Sequence, residues 1–329
     1  RDAQESRGLG DVYKRQQTSI PVLIDSESWT MIKTGINLNA GKKASTGNKL
    51  WVWGQNNNGQ LGDNSNINKS SPVQLGTNDW SMIKHGYSFT AAQDASGITY
   101  TWGNNDNGQL GQSDLVNRSS PTQLGTSSWS AVSTGDRFAY GITSNGQLYS
   151  WGLNNFGQLG DNTVINRSSP TQVGTASSWN IVAVGGTHSV FVTNNRVIFG
   201  TGRNVEGQFG LQYSLSVSNP VITSISNEKF TGIGILENTS IGIRDDGALH
   251  TWGNGANGRI GNSTSAGNRS YPLSLGTDSW ISVASGARAS HMAAVRSDGA
   301  LFTWGTNSQG ELGIGITCLL YTSPSPRDS

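Results

Sequence analysis

The sequence predicts an all-β protein: a β-propeller of four-stranded blades, each about fifty residues long, with six copies present. Three observations predict it. Trp53, Trp102, Trp151, Trp252 and Trp304 are each followed by Gly, and Thr201-Gly202 fills the one gap, at intervals of 49, 49, 50, 51 and 52 residues. A second series, Trp29, Trp80, Trp129, Trp179, Phe230 and Trp280, runs at intervals of 51, 49, 50, 51 and 50. Pro21, Pro72, Pro121, Pro170, Pro220 and Pro272 keep the same beat and mark the starts of the repeats. Such a period means a repeat architecture.

The third copy, Pro121 to Gly160, justifies each element. WSAVST reads as a short strand ending before Gly135. FAYGIT alternates Phe138, Tyr140 and Ile142 on one face, the period of a strand. Ser144-Asn145-Gly146 is a hairpin turn, because Asn and Gly accept positive φ cheaply. QLYSW returns with Tyr149 and Trp151 on one face. NNFGQLG is a Gly-rich loop, and SSPTQ a short extended piece. No window holds a 3.6-residue period, so each unit is about four short antiparallel strands.

One such sheet cannot bury both faces, whereas blades stacked radially bury each other's. The position two before the Gly-linked Trp carries Trp51, Tyr100, Tyr149, Phe199, His250 and Phe302, mostly aromatic. The residue between is small: Val52, Thr101, Ser150, Gly200, Thr251 and Thr303. Large against small is what interdigitating blades require. Trp29, Trp53, Trp80, Trp102, Trp129, Trp151, Trp179, Trp252, Trp280 and Trp304 are therefore assigned to the repeat core.

The ends read differently from the middle. CLLYTSPSPRD, at 318–328, back-translates to a DNA stretch whose reverse complement, read one base in, encodes SRGLGDVYKRQ, at 6–16. Residues 1–16 and 318–329 are therefore expected to be translated sequencing-adaptor sequence, leaving 17–317 as the propeller. The full chain has a formal charge of +1; the inner segment has 17 basic and 17 acidic residues and lacks the single Cys. A neutral chain gives no bulk electrostatic signal for nucleic acid or an anionic membrane. One Cys excludes a disulfide framework.

The consensus W-G-x-N-x-x-G-Q-L-G stands as WGQNNNGQLG from Trp53, WGNNDNGQLG from Trp102 and WGLNNFGQLG from Trp151. WGNGANGRIG, WGTNSQGELG and TGRNVEGQFG are looser copies. WD-type repeats are shorter, and kelch repeats carry a double Gly in each unit. The pattern resembles instead the regulator of chromosome condensation (RCC1-type) repeat. That resemblance implies a seven-bladed ring, of which this chain would be a fragment. The family's founder exchanges guanine nucleotide on the Ran GTPase and docks on nucleosomes. Bacterial relatives inhibit β-lactamases purely by binding. Neither the founder's basic tail nor the Trp-bearing G-W-R-H-T motif of the plant ultraviolet-B photoreceptor occurs here.

Chemistry is sparse. Gly253 to Gly258 fits G-x-G-x-x-G but is only the fifth copy of the repeat loop, and a dinucleotide site would need a helix there. There is no P-loop, H-E-x-x-H or G-x-S-x-G. His188 and His291 hold a repeat position suited to a structural hydrogen bond, His250 takes an aromatic slot, and His85 shows no partner. The N-x-S/T sequences at Asn68, Asn117, Asn166, Asn238, Asn262 and Asn268 read as turns. Lys69, Arg118, Arg167 and Arg269 stand three residues before Pro, with Val217 breaking the series, and should form an arc on one face. That arc would serve an acidic partner, or each cation would pair within its own blade; the second is expected. LQYSLSVSNP (211–220) and GILENTS (234–240) read as variable insertions that mark candidate surfaces.

The expected function is a non-catalytic, protein-binding scaffold, for which a monomer suffices and no metal or cofactor is needed. The alternative is a guanine-nucleotide exchange factor or chromatin-linked regulator. Truncating a core Trp, for instance Trp151→Ala, should cost about 3–5 kcal/mol, read from urea unfolding.

Overall fold

A computed structural model describes residues 26–314, except 36, 211–218, 263–266, 285, 287 and 309. Pro21, Val217, Cys318 and the two terminal segments lie outside that description. Blade one comprises Trp29–Thr34, Leu38–Lys43, Leu50–Gly54 and Lys69–Gln74. Blade two is Trp80–His85, Phe89–Asp94, Thr99–Gly103 and Arg118–Gln123; blade three is Trp129–Thr134, Phe138–Thr143, Leu148–Gly152 and Arg167–Gln172. Blade four has Trp179–Val184, His188–Thr193 and Val197–Gly202, closed by the first half of the long strand Asn219–Leu236. The second half of that strand opens blade five, which adds Thr239–Arg244 and Ala248–Gly253. Arg269–Val283 likewise closes blade five and opens blade six, with His291–Arg296 and Leu301–Gly305.

Neighbouring strands within each blade pair antiparallel in chain order. The strand holding Pro121 pairs with Thr99–Gly103, not with the blade that follows it. A repeat counted from its Pro therefore begins with the last strand of the preceding blade. Pro is tolerated there because this strand has no further partner on its outer side.

First strands stand nearest the axis. Where first strands turn into second strands, neighbouring turns bond to each other: Tyr87 N–H donates to Asp136 O at 3.0 Å, Asp136 N–H to Gly185 O at 3.2 Å and Gly286 N–H to Ile235 O at 2.9 Å.

The core lies between blades. Leu38, Ala40, Leu50, Val52 and Leu61 of blade one pack on Trp80, Ile83, Ala92 and Trp102 of blade two. Equivalent clusters join blades two and three, three and four, four and five, and five and six. Each first-strand Trp lies across its own sheet onto the third strand. Trp129 meets Tyr149 edge-on at 5.5 Å and Trp151 at 5.7 Å. Gly141 on the strand between makes room, since a Cβ there would stand 2.5 Å from the Trp129 ring.

The third-strand Trp does a different job. Its indole N–H donates to a loop carbonyl of the preceding blade: Trp102 to Gln60 O at 2.9 Å, Trp151 to Gln109 O at 3.0 Å, Trp304 to Arg259 O at 3.0 Å. The last Gly of G-Q-L-G lies beneath that ring. Gly62 has φ 77°, and a Cβ on it would meet Trp102 Nε1 at 2.6 Å. In blade four, which has Thr201 in this slot, the Thr201 hydroxyl donates to Gly157 O at 3.1 Å, and Tyr140 of blade three donates to Gln158 O at 2.9 Å. Trp252 is buried with its N–H unpaired; Ser240 donates to Gln208 O at 2.6 Å instead.

Two expectations need revision. Of the ten assigned core Trp, eight are buried, but Trp29 and Trp53 are half-buried. No described blade precedes blade one to cover them. The residues between the paired aromatics were read as merely small, yet they are also donors. Thr101 reaches Leu110 O at 2.7 Å, Ser150 Leu159 O at 2.9 Å and Thr251 Ile260 O at 2.7 Å, each tying a blade to its own loop.

The indoles of Trp80, Trp129, Trp179 and Trp280 are buried without a hydrogen-bond partner. Trp151→Phe should therefore cost about 1–3 kcal/mol more than Trp129→Phe, because only the former strands a buried carbonyl. Paired urea titrations check the difference.

Candidate functional site

The turn joining first to second strand and the long loop joining third to fourth lie at the same end of each blade. The Gln55 N–H of the long loop donates to Asn37 O of the turn at 2.7 Å. One face of the propeller thus carries an inner ring of turns and an outer ring of loops.

Each long loop is built around the Asn of W-G-x-N. Asn154 is fully buried. Its Oδ1 accepts Leu159 N–H at 2.9 Å, and its Nδ2 donates to Asp161 Oδ1, Thr163 O and Ile165 O at 3.0–3.1 Å. Asn56 and Asn105 repeat the pattern. The Asn of the N-x-S sequence closes the far end. Asn68 Oδ1 accepts Asn56 N–H, Asn117 Oδ1 accepts Asn105 N–H, both at 2.7 Å, and Asn166 Oδ1 accepts Asn154 N–H at 2.8 Å. These residues were expected to make local turns; instead they bond across twelve residues of chain. Blade five has Gly255 in the buried Asn slot, and its loop forms only a single 3₁₀ turn, Ala256–Gly258. The G-x-G-x-x-G stretch thus opens no α-helix.

The cation arc is largely consumed inside the blades. Lys69 pairs with Asp63 at 3.0 Å, Arg118 with Asp114 at 2.6 Å and Arg167 with Asp161 at 2.7 Å. Among the described residues Arg269 has no ion pair, and Asn262 occupies the place of Asp63 and Asp161. Burial works to raise the Asp161 carboxyl, but the Thr163 hydroxyl and Arg167 outweigh it and hold the group below its ordinary value.

What the loops present outward is aliphatic. Ile67, Val116 and Ile165 occupy one repeat position and are 69%, 58% and 61% exposed. Leu115 and Val164 precede two of them and are also exposed. Sequence reading missed this series, although the residues recur at the fifty-residue period. The backbone of each tip is held by a side chain: Ile67 O and Ile165 O accept from the buried Asn side chains, and Val116 O accepts from Arg118 at 3.0 Å.

The inner ring is less regular. Arg288 of blade six donates to both carboxylate oxygens of Asp136 in blade three, at 2.9 and 2.8 Å, and its guanidinium lies 3.9 Å from the Tyr87 ring centroid of blade two. Glu237 pairs with Arg259 at 3.2 Å. GILENTS proves to be no insertion: Leu236-Glu237-Asn238-Thr239 is as long as Gly135-Asp136-Arg137-Phe138. Residues 211–218 of the other candidate surface lie outside the described residues. His188 bonds to Ser240 of the next blade at 3.0 Å, and burial, with Arg203 nearby, lowers its pKa to about 3. His250 packs on Phe230 at 5.7 Å. Among the described residues no cluster of three or more His, Cys, Asp or Glu could hold a metal, and no helix is long and apolar enough to cross a membrane.

Inter-blade cores, repeated loops and radial stacking define a β-propeller. The sequence matches the RCC1-like domain family over residues 3–290, and the chain belongs to that family. The structure of human WBSCR16 is similar at a TM-score of 0.78 and 21% identity, covering 92% of this chain and 82% of that one. Yeast RCC1 (Prp20), solved with Kap60, gives a TM-score of 0.78 and 19% identity over 92% of this chain and 75% of that one. Prp20p from Saccharomyces cerevisiae, described with its binding to Gsp1p and histones, gives 0.69 and 19% over 79% and 67%. No curated protein matches the sequence significantly.

The lowered Asp161 carboxyl sets a sign for acid stability. Its contribution is present above the unfolded value near 3.8 and is lost as pH falls through the lower folded value. Melting temperatures followed downward from neutral pH should fall less steeply below about pH 4 in Asp161→Asn than in the parent.

Proposed function

We propose that residues 17–317 form a protein-binding scaffold that works through the outer loops of one propeller face. The observation that carries this is the series Ile67, Leu115, Val116, Val164 and Ile165, exposed in register on three consecutive blades. Exposed aliphatic side chains lose free energy in water that a partner's apolar surface restores, at about 25 cal/mol per Å² covered. A single exposed aliphatic residue means little; a contiguous patch marks an interaction site. Rigid tips also reduce the ordering cost of association. The cations of these loops are neutralised by their own Asp residues, which favours an apolar partner segment over a purely acidic one. No nucleophile–base pair or metal cluster is part of this reading.

A second reading follows from the similarity to Prp20p, whose description names Gsp1p and histones as what it binds. On that reading the same face would engage a GTPase or a basic chromatin protein. A nucleotide-release assay with Gsp1p checks it, with acceleration expected if it holds.

The scaffold reading is tested by random-peptide display. Peptides selected on the parent protein should be rich in aliphatic residues and should lose binding to an Ile67→Ser, Val116→Ser, Ile165→Ser variant of unchanged melting temperature. They should keep binding to Arg244→Ala, a change on the opposite face. Selected peptides that bind the triple variant as well as the parent would remove the loop tips as the site.

A further inference from the structure

The turn joining the first to the second strand of blade six is longer than its equivalents. Two residues separate Gly86 from Phe89, Gly135 from Phe138 and Gly185 from His188, and blades one and five match them. Four residues separate Gly286 from His291. The added length lets Arg288 leave its own blade and reach blade three.

That reach ends on a prepared site. Arg288 Nε and Nη2 donate to Asp136 Oδ1 and Oδ2 at 2.9 and 2.8 Å, the forked geometry in which a guanidinium binds a carboxylate most strongly. The same guanidinium lies over the Tyr87 ring of blade two. The Asp136 side chain is only 14% exposed, so salt screens this pair less than an ion pair on the open surface. Asp136 is itself tied on both sides: its carbonyl accepts from Tyr87 N–H, and its own N–H donates to Gly185 O. Arg288 therefore grips a residue that already joins the turns of blades two, three and four.

Blade six lacks the support that inner blades receive from two sides. It shares a buried cluster with blade five, and its Trp304 and Gly286 N–H groups donate to Arg259 O and Ile235 O of that blade. On its other side no described blade covers it. Leu301 is 67% exposed, whereas Leu50, Leu148 and Leu249 in the same repeat slot are fully buried. Its third strand has no fourth strand beside it among the described residues. Stacked repeats draw stability from each neighbour, so a blade covered on one side is held by about half the contacts.

We propose that Arg288 is a clasp: it fixes the hub end of blade six against the turns of blades two, three and four, and gives that blade a second attachment. It is a positioning residue of the inner ring. The outer loop tips take no part in it, so its failure leaves the peptide-display result intact.

Amide hydrogen exchange of the full-length protein tests the clasp, because it reads local opening residue by residue. Gly286 begins the turn that carries Arg288, and in Arg288→Ala its N–H should exchange about tenfold faster, the scale of one charged hydrogen bond. The amides of Val132 and Ala294, inside the sheets of blades three and six, should keep the parent rates. Arg288→Lys should fall between parent and Arg288→Ala, since it keeps the charge and loses the fork. Asp136→Asn should also speed Gly286, and the double variant should exchange no faster than Arg288→Ala alone, because the two residues form one interaction. Should Arg288→Ala fail to fold, Arg288→Lys and Asp136→Asn still decide. An unchanged Gly286 rate, an equal acceleration of Val132 and Ala294, or additive effects of the two substitutions would each overturn the proposal.

Discussion

No blade of this protein can bury its own two faces. Four short strands make a sheet too small to fold back on itself, so each aromatic face must be covered by the next blade. The contact between Trp102 and the loop at Gln60, repeated by Trp151 and Trp304, carries that requirement. It combines a large apolar ring with one directional hydrogen bond. The ring supplies the area, and the N–H fixes how far one blade is rotated against its neighbour. The Gly beneath each ring, the hydroxyl tying the third strand to its loop and the buried Asn inside that loop all serve to hold the accepting carbonyl in place.

The same arrangement separates structure from recognition. The buried Asn satisfies the loop from inside, and ion pairs such as Arg167–Asp161 neutralise its charges. Loop shape therefore does not depend on what the tip residues are. Ile67, Val116 and Ile165 can face solvent without disturbing the blade that presents them. A scaffold of this kind changes its partner by changing its tips.

The hub follows another logic. The outer loops of blades one to three repeat nearly unchanged, whereas the inner turns carry Tyr87, Asp136, Gly186 and Glu237 at one equivalent position. Side chains from different blades converge there, and identical charges would repel one another. Divergence lets them pair instead: Arg288 spans from blade six to Asp136 of blade three, and Glu237 meets Arg259.

The sequence by itself determined the repeat, the strands within it, the stacking of aromatic faces and the family, because period and alternation are local properties of the chain. It also carried the loop motif, though not the reason for each letter. That Asn68 would close a loop on Asn56, or that Lys69 would pair with Asp63, depends on residues brought together only when the loop is formed. Burial of the Trp series was legible for eight of ten. Trp29 and Trp53 depart because burial belongs to a neighbouring blade and not to the residue. The exposed aliphatic tips share the repeat period, but hydrophobicity alone does not say which way such residues face. Only the tertiary structure decided that they face solvent and that Arg288, 152 residues from Asp136, meets it across the hub. Radial stacking converts sequence distance into angle around an axis, and that conversion is not written in any local pattern.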